Sequence, residues 1–226
     1  GYALYVPRLF KHVHTSVCAD QRRALEVSDI GNLLCETEKA SSCGSLPIEL
    51  QTTKNIFALM FLLRGIPFVD LAYLRKADIQ GNTLKYRRRK TGRLLTVMLT
   101  PDAIKLIRIV AKTKPESPYL FPFLSSPEGT EAAYHEYQSS LRMFNYRLSR
   151  LKKYMKTAAH LSSYTIRHTW ATMAYYCEIH PGIISEAMGH SSIKVTETYL
   201  KPFQNEKIDN ANSQVISYVK EYASIV

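Results

Sequence analysis

Toward the C-terminal end of the chain, Arg167, His190 and Tyr199 are of types that suit chemistry on a phosphate group. An arginine presents a planar fork matched to two phosphate oxygens. A preorganised imidazole can stabilise charge that builds on an oxygen in a transition state. A phenol, with an ordinary pKa of about 10, acts as a nucleophile only beside a cation or a base. Arg167 opens a helical pattern, in Tyr164-Thr165-Ile166-Arg167-His168-Thr169-Trp170-Ala171-Thr172. His190 follows a helix-ending glycine, in Met188-Gly189-His190, so its ring can project from a turn. Tyr199 lies nine positions further on, in Thr196-Glu197-Thr198-Tyr199. Three segments can therefore converge at one edge of a helical cluster. Singly, each residue has an ordinary reading: Tyr199 as one packed tyrosine of 15, His190 as a cap, Arg167 as half of a surface ion pair.

The elements that must position these residues are mostly helical. A tail runs to about Asp20, and a helical pattern from Gln21 carries Leu25, Ile30, Leu33 and Leu34 toward a core. Pro47 opens a helix whose apolar run reaches Leu63 and breaks near Gly65 and Pro67, with a short turn resuming over Asp70 to Leu74. Leu84, Tyr86 and Arg88 alternate with Lys85, Arg87 and Arg89, and Leu95, Val97 and Leu99 alternate beyond Thr91-Gly92, which is a hairpin pattern. Pro101-Asp102 opens a helix through Val110, and a long helix spans about Tyr134 to Lys156. In the helix Thr165 to Tyr176, the face with Ile166, Trp170, Met173, Ala174 and Cys177 reads as core. A short helix over Ile183 to Met188 stops at Gly189, and Ser191 or Ser192 can cap the next, which carries Lys194 to Tyr199. The segment Ile208 to Val226 suits a last amphipathic helix. The fold class expected is mainly α with a small antiparallel β-sheet, without an internal domain boundary.

With 30 Lys and Arg against 19 Asp and Glu, the formal charge of +11 attracts polyanions, and nucleic acid is the partner it suits. Two basic clusters stand out: Lys85, Arg87, Arg88, Arg89, Lys90 and Arg93 on the hairpin, and Arg142, Arg147, Arg150, Lys152, Lys153 and Lys156 on the long helix. Like charges this close repel unless solvated or neutralised by something such as a DNA backbone. Tyr86, Phe144, Tyr146 and Tyr154 interleave with them and could pack on sugars. Cys18, Cys35, Cys43 and Cys177 form no CxxC pair and no His cluster completes a zinc site, so no metal is expected and a reducing compartment fits. The apolar run Ile56 to Leu63 is too short to span a bilayer.

The combination of Arg167-His168 opening a helix, the Gly189-His190 turn and Tyr199 nine residues beyond resembles the tyrosine recombinase (phage integrase) family, over most of the chain from about Gln21. Its flavour is that of integrases and invertases of bacterial mobile elements. The resemblance implies that Tyr199 attacks a DNA phosphodiester, that Arg167 is the second of two phosphate-clamping arginines, and that His190 bonds a non-bridging oxygen. It makes Lys90, in Lys90-Thr91-Gly92, the general acid for the leaving 5′ hydroxyl. It implies a 3′-phosphotyrosyl intermediate, no cofactor, double-stranded DNA as partner, a homotetramer on synapsed sites and a bacterial, cytoplasmic setting. It also makes residues 1–20 a linker or the end of an upstream DNA-binding domain and 21–226 the catalytic domain.

Two positions depart from the family pattern. Aligning Asp70 with the family's acidic residue puts Pro67 where the first arginine stands. Arg64 shares a helical face with Phe57, Met60 and Phe61, and either supplies the missing guanidinium or pairs with Asp70. Tyr164 stands where the family's first histidine does and can still donate or accept a hydrogen bond. His168 reads as a structural residue buried beside Arg167. The rival readings are a type IB topoisomerase-like enzyme, a non-catalytic DNA-binding regulator on this fold and, with no carboxylate cluster to support it, a metal-dependent nuclease.

Overall fold

The computed structural model describes residues 24–35, 46–155, 157–198 and 205–223. Tyr199, Lys156 and the tail expected at 1–20 lie outside the described residues. Helix α1 (Val27–Cys35) precedes α2 (Ile48–Leu62), which enters behind Pro47 and holds the apolar run. Helix α2 is the central post and packs against α4 (Pro101–Val110), α5 (Glu131–Met155) and α6 (Thr165–Tyr176). Phe57, Ala58, Leu59 and Met60 are wholly buried, which explains why the run is apolar all round. Among the described residues no helix is long and apolar enough to cross a membrane.

The end of α2 differs from the expected course. Leu63 caps it, and Arg64 and Gly65 adopt left-handed φ values of 60° and 67°. The amides of Gly65 and Ile66 close back onto the Met60 carbonyl, so Arg64 leaves the helical face it was expected to share with Phe57, Met60 and Phe61. Pro67 is the N-cap of the short α3 (Phe68–Ala72), two residues earlier than the pattern suggested. Proline suits that position because it needs no amide donor there.

A three-stranded antiparallel sheet follows: β1 (Ile79–Gln80), β2 (Thr83–Arg87) and β3 (Leu94–Met98), in that spatial order. Tyr86 pairs with Leu95 and Leu84 with Val97, and these four side chains face the core. Arg88 keeps the parity of Leu84 and Tyr86 and is buried as they are. Thr100 caps α4, its hydroxyl accepting from the Ala103 amide. Helix α5 starts three residues earlier than expected.

The buried face of α6 is Thr165, Ile166, Arg167, Thr169, Ala171, Thr172 and Ala174. Trp170 and Met173 are half-buried and Cys177 is exposed, so the expected core face is rotated. The cause is that α6 is enclosed on two sides, by α2 and by α7 (Pro181–Met188). Helix α7 ends in Gly189 at φ 66°, and Ser192 precedes α8 (Ile193–Glu197), with no side-chain cap bond. Helix α9 (Asn205–Ala223) is exposed over residues 207–221, touching the body where Lys207 donates to the Tyr176 carbonyl.

Candidate active site

Helix α6, the turn after α7 and helix α8 deliver Arg167, His190 and Thr196 to one buried point. The Arg167 guanidinium, 2% exposed, donates from Nη1 to the Gly65 carbonyl at 2.8 Å and from Nη2 to the Met188 carbonyl at 2.7 Å. Nη2 also lies 2.8 Å from His190 Nε2, and His190 Nδ1 lies 2.8 Å from Thr196 Oγ1. Because arginine only donates, Nε2 must accept, which assigns the imidazole proton to Nδ1 and makes Thr196 Oγ1 its acceptor. Burial pushes the His190 pKa down to about 4, and the charges of Arg167, Arg88 and Lys90 add to the effect. His190 is therefore neutral near pH 7 and accepts a hydrogen bond from Arg167.

The hairpin loop between β2 and β3 docks on the same turn. Thr91 Oγ1 donates to the Gly189 carbonyl at 3.2 Å, and Arg93 Nη1 donates to the His190 carbonyl at 3.0 Å. Inside the loop, Gly92 N donates to the Arg88 carbonyl at 2.7 Å and Arg88 N to the Arg93 carbonyl at 2.9 Å. Lys90 sits exposed at the loop tip. Gly189 is required where it stands: its φ is left-handed, and a Cβ there would lie 2.9 Å from Arg88 Cγ and 3.1 Å from Leu95 Cδ1.

Asp70 does not pair with Arg64. Its Oδ1 accepts from the Arg89 amide at 2.9 Å, and its Oδ2 faces Arg88 Nε at 3.0 Å. Burial pushes the Asp70 carboxyl up, and this outweighs the pull of Arg88 and the Arg89 N–H. Arg64 instead extends to the Thr96 carbonyl at 3.3 Å. Tyr86, buried beside Asp70, has its phenol pushed far above its ordinary value by burial.

The residues read from the sequence as DNA contacts have varied surroundings. Arg88 is buried and turned inward, so it is not an outward-facing backbone contact. Arg89 lies 3.7 Å over the Tyr73 ring and pairs with Glu128, which also receives Arg75 at 2.6 Å. The Arg89 hydrogen bond outweighs the upward push of burial and holds the Glu128 carboxyl below its usual range. Arg87 reaches the Gly92 carbonyl at 3.2 Å, and Arg93 lies 3.7 Å from Glu186. On α5, Arg150 and Lys153 are exposed, Arg147 and Lys152 are half-buried, and Lys152 donates to the Ala158 carbonyl at 3.2 Å. Tyr146 and Tyr154 are exposed among them.

Tyr164, 51% exposed, is the N-cap residue of α6, with its ring 6.3 Å from that of His168. His168 is half-buried rather than buried. Sequence reasoning missed Thr196, Thr91 and Glu128. The alternation of Leu84, Tyr86 and Arg88 was the signal that Arg88 faces inward.

A model of the phage integrase family matches residues 29–206, well over half of the chain. The chain belongs to the phage integrase family. This phage integrase family member shares its fold with solved recombinases. The XerA recombinase superposes with a TM-score of 0.59 at 15% identity, covering 88% of this chain and 65% of that one. The Tn1549 transposon integrase, solved with circular intermediate DNA, gives 0.57 at 15%, covering 85% and 66%. The XerH site-specific recombinase, bound to palindromic difH substrate after cleavage, gives 0.57 at 16%, covering 84% and 52%. The family member thus spans less than two thirds of each of these structures. No curated protein matches it in sequence.

Proposed function

We propose that residues 21–226 form the catalytic domain of a site-specific DNA recombinase or integrase of a mobile element, with residues 1–20 linking to an upstream DNA-binding domain. Tyr199 is its nucleophile. Its phenol oxygen bonds to the scissile phosphorus, the bond from phosphorus to the 5′ oxygen breaks, and the phenol proton passes to a base. Lys90 gives a proton to the departing 5′ oxygen. The 3′-phosphotyrosyl ester keeps the bond energy, so a 5′ hydroxyl can reverse the step with neither ATP nor a metal.

The observation that carries this reading is the docking of the Lys90 loop, through Thr91 and Arg93, on the Gly189–His190 turn whose His190 side chain bonds Arg167. A proton donor and a phosphate-binding guanidinium then share one field. An entering phosphate monoanion offsets Arg167 and favours the protonated imidazole. His190 then donates to a non-bridging oxygen instead of accepting from Arg167. Tyr164, at the mouth of α6, is available to hydrogen-bond the same phosphate.

Arg150, Lys153, Tyr146 and Tyr154 on α5 suit the DNA backbone, in keeping with the DNA-bound state of the Tn1549 and XerH structures. The exposed Ile208, Val215, Ile216, Tyr218 and Val219 of α9 suit docking on a neighbouring protomer of a tetramer on synapsed DNA.

The test is a nicked suicide DNA substrate. Wild-type protein is expected to form a denaturant-resistant adduct mapping to Tyr199, and Tyr199→Phe to bind DNA without forming it. An adduct that survives Tyr199→Phe overturns the assignment. DNA binding by the wild type with no adduct marks a regulator, and relaxation of unrelated supercoiled DNA marks a topoisomerase-like enzyme.

A further inference from the structure

We propose that Arg88 is a second phosphate-binding guanidinium of this site, acting beside Arg167 on the scissile phosphate; the inference rests on the phosphotyrosyl reading above. Arg88 directly follows β2 and points inward, 5% exposed. A buried guanidinium is costly unless its charge and its donors are both met. Here they are not. Nε lies 3.0 Å from Asp70 Oδ2, but off the line of a hydrogen bond. Neither Nε nor Nη1 of Arg88, nor Oδ2 of Asp70, has a hydrogen-bond partner. A purely structural arginine–carboxylate pair would engage the fork with two parallel bonds, which is the geometry this pair lacks. Buried polar atoms without partners are rare enough in folded proteins to demand a reason, and a ligand-binding role is one.

The position of Arg88 says which ligand. Its stem packs on the Gly189–His190 turn so closely that a Cβ on Gly189 would meet Arg88 Cγ at 2.9 Å and Cδ at 3.4 Å. Its charge is felt at His190, and Asp70 feels both Arg88 and Arg167. Two buried guanidinium groups thus act on one buried carboxylate, which leaves one positive charge over. A phosphodiester carries one negative charge, and its oxygens accept hydrogen bonds from donors like the unbonded Nη1. Arg64, the other candidate, turns away to the Thr96 carbonyl.

The test pairs Arg88→Ala with two suicide substrates. One carries the natural scissile phosphodiester, the other a methylphosphonate in which a methyl group replaces one non-bridging oxygen and removes the charge. On the phosphodiester, Arg88→Ala is expected to lose about 100-fold or more in cleavage rate, the usual cost of one transition-state donor. On the methylphosphonate, where no charge needs neutralising, its deficit against wild type is expected to shrink sharply. A structural role would not distinguish the two substrates.

Arg88→Lys keeps the charge beside Asp70 and loses the fork. It is expected to melt like wild type and show the same pattern more weakly, and it carries the test should Arg88→Ala fail to fold. Wild-type-like cleavage of the phosphodiester by Arg88→Ala overturns the proposal, as does an equal loss on both substrates. Methylphosphonate rescue of Arg64→Ala without rescue of the Arg88 variants overturns it too. Failure of the wild type to form a Tyr199 adduct on either substrate instead strikes the phosphotyrosyl reading itself.

Discussion

Gly189→Ala is expected to weaken the fold and the site together, through two separable causes. Gly189 sits at φ 66°, and a left-handed conformation costs an alanine roughly 1–2 kcal/mol. The new Cβ would also lie 2.9 Å from Arg88 Cγ, closer than real Cβ atoms come, and 3.1 Å from Leu95 Cδ1, tighter than most such contacts. Arg88 cannot swing away cheaply, because the clash falls on its buried stem and not on its tip. Forcing an extra carbon into packed surroundings costs about 1–3 kcal/mol. The sum is about 2–5 kcal/mol, which for a chain of this size lowers Tm by roughly 4–20 °C. Asparagine tolerates the left-handed region but puts its Cβ in the same place, so Gly189→Asn separates the causes. Calorimetric melting of both variants is the assay. Close approach of Arg88 predicts that Asn recovers only the backbone share of the loss. An alanine variant melting within about 1 °C of wild type, or full recovery with asparagine, would refute the reasoning from contact distance.

Two further outcomes follow from the charges. His190 has a folded pKa of about 4 against an ordinary 6.5, so between those values the unfolded chain binds the extra proton and stability falls as pH drops. The loss should approach ~3 kcal/mol at pH 4. Asp70, whose carboxyl is raised by burial, acts in the opposite sense, so the quantity to measure is the difference between wild type and His190→Gln in urea unfolding from pH 7 to 4. A difference that stays constant over that range contradicts the neutral, buried imidazole. For DNA binding, Arg150→Ala and Lys153→Ala should each reduce the slope of log affinity against log salt by about 0.9, one phosphate contact apiece. Arg89→Ala should leave that slope nearly unchanged, since Glu128 already neutralises Arg89. The reverse ranking would put the DNA track on the hairpin and not on α5.

Much of the architecture was legible because it follows from local chemistry. Proline at Pro47 and Pro101, glycine at Gly189 and the alternation across Leu84–Arg88 and Leu95–Leu99 mark where helices start, stop and give way to strands. The order of Arg167, His190 and Tyr199 along the chain carried the family, and the family match over residues 29–206 agrees with it. The core face of α6 was misjudged for a tertiary reason. Periodicity finds one apolar stripe, whereas α6 is enclosed by α2 and α7, so that Thr169, Thr172 and Arg167 itself are buried.

Ion pairing was settled only by the folded chain. From sequence, Arg64, six positions before Asp70, was one expected partner for it. In the structure α2 ends before Arg64, the backbone turns through two left-handed residues, and the carboxylate meets Arg88, which directly follows β2. Coulomb energy depends on separation in space and on how deeply the charges are buried, and neither quantity is written in residue order. The sequence alone determined which chemical groups are present and which helices and strands carry them. Only tertiary packing decided which guanidinium is left with an unmet donor beside His190, because burial and the docking of the hairpin on Gly189 both arise from contacts between remote segments.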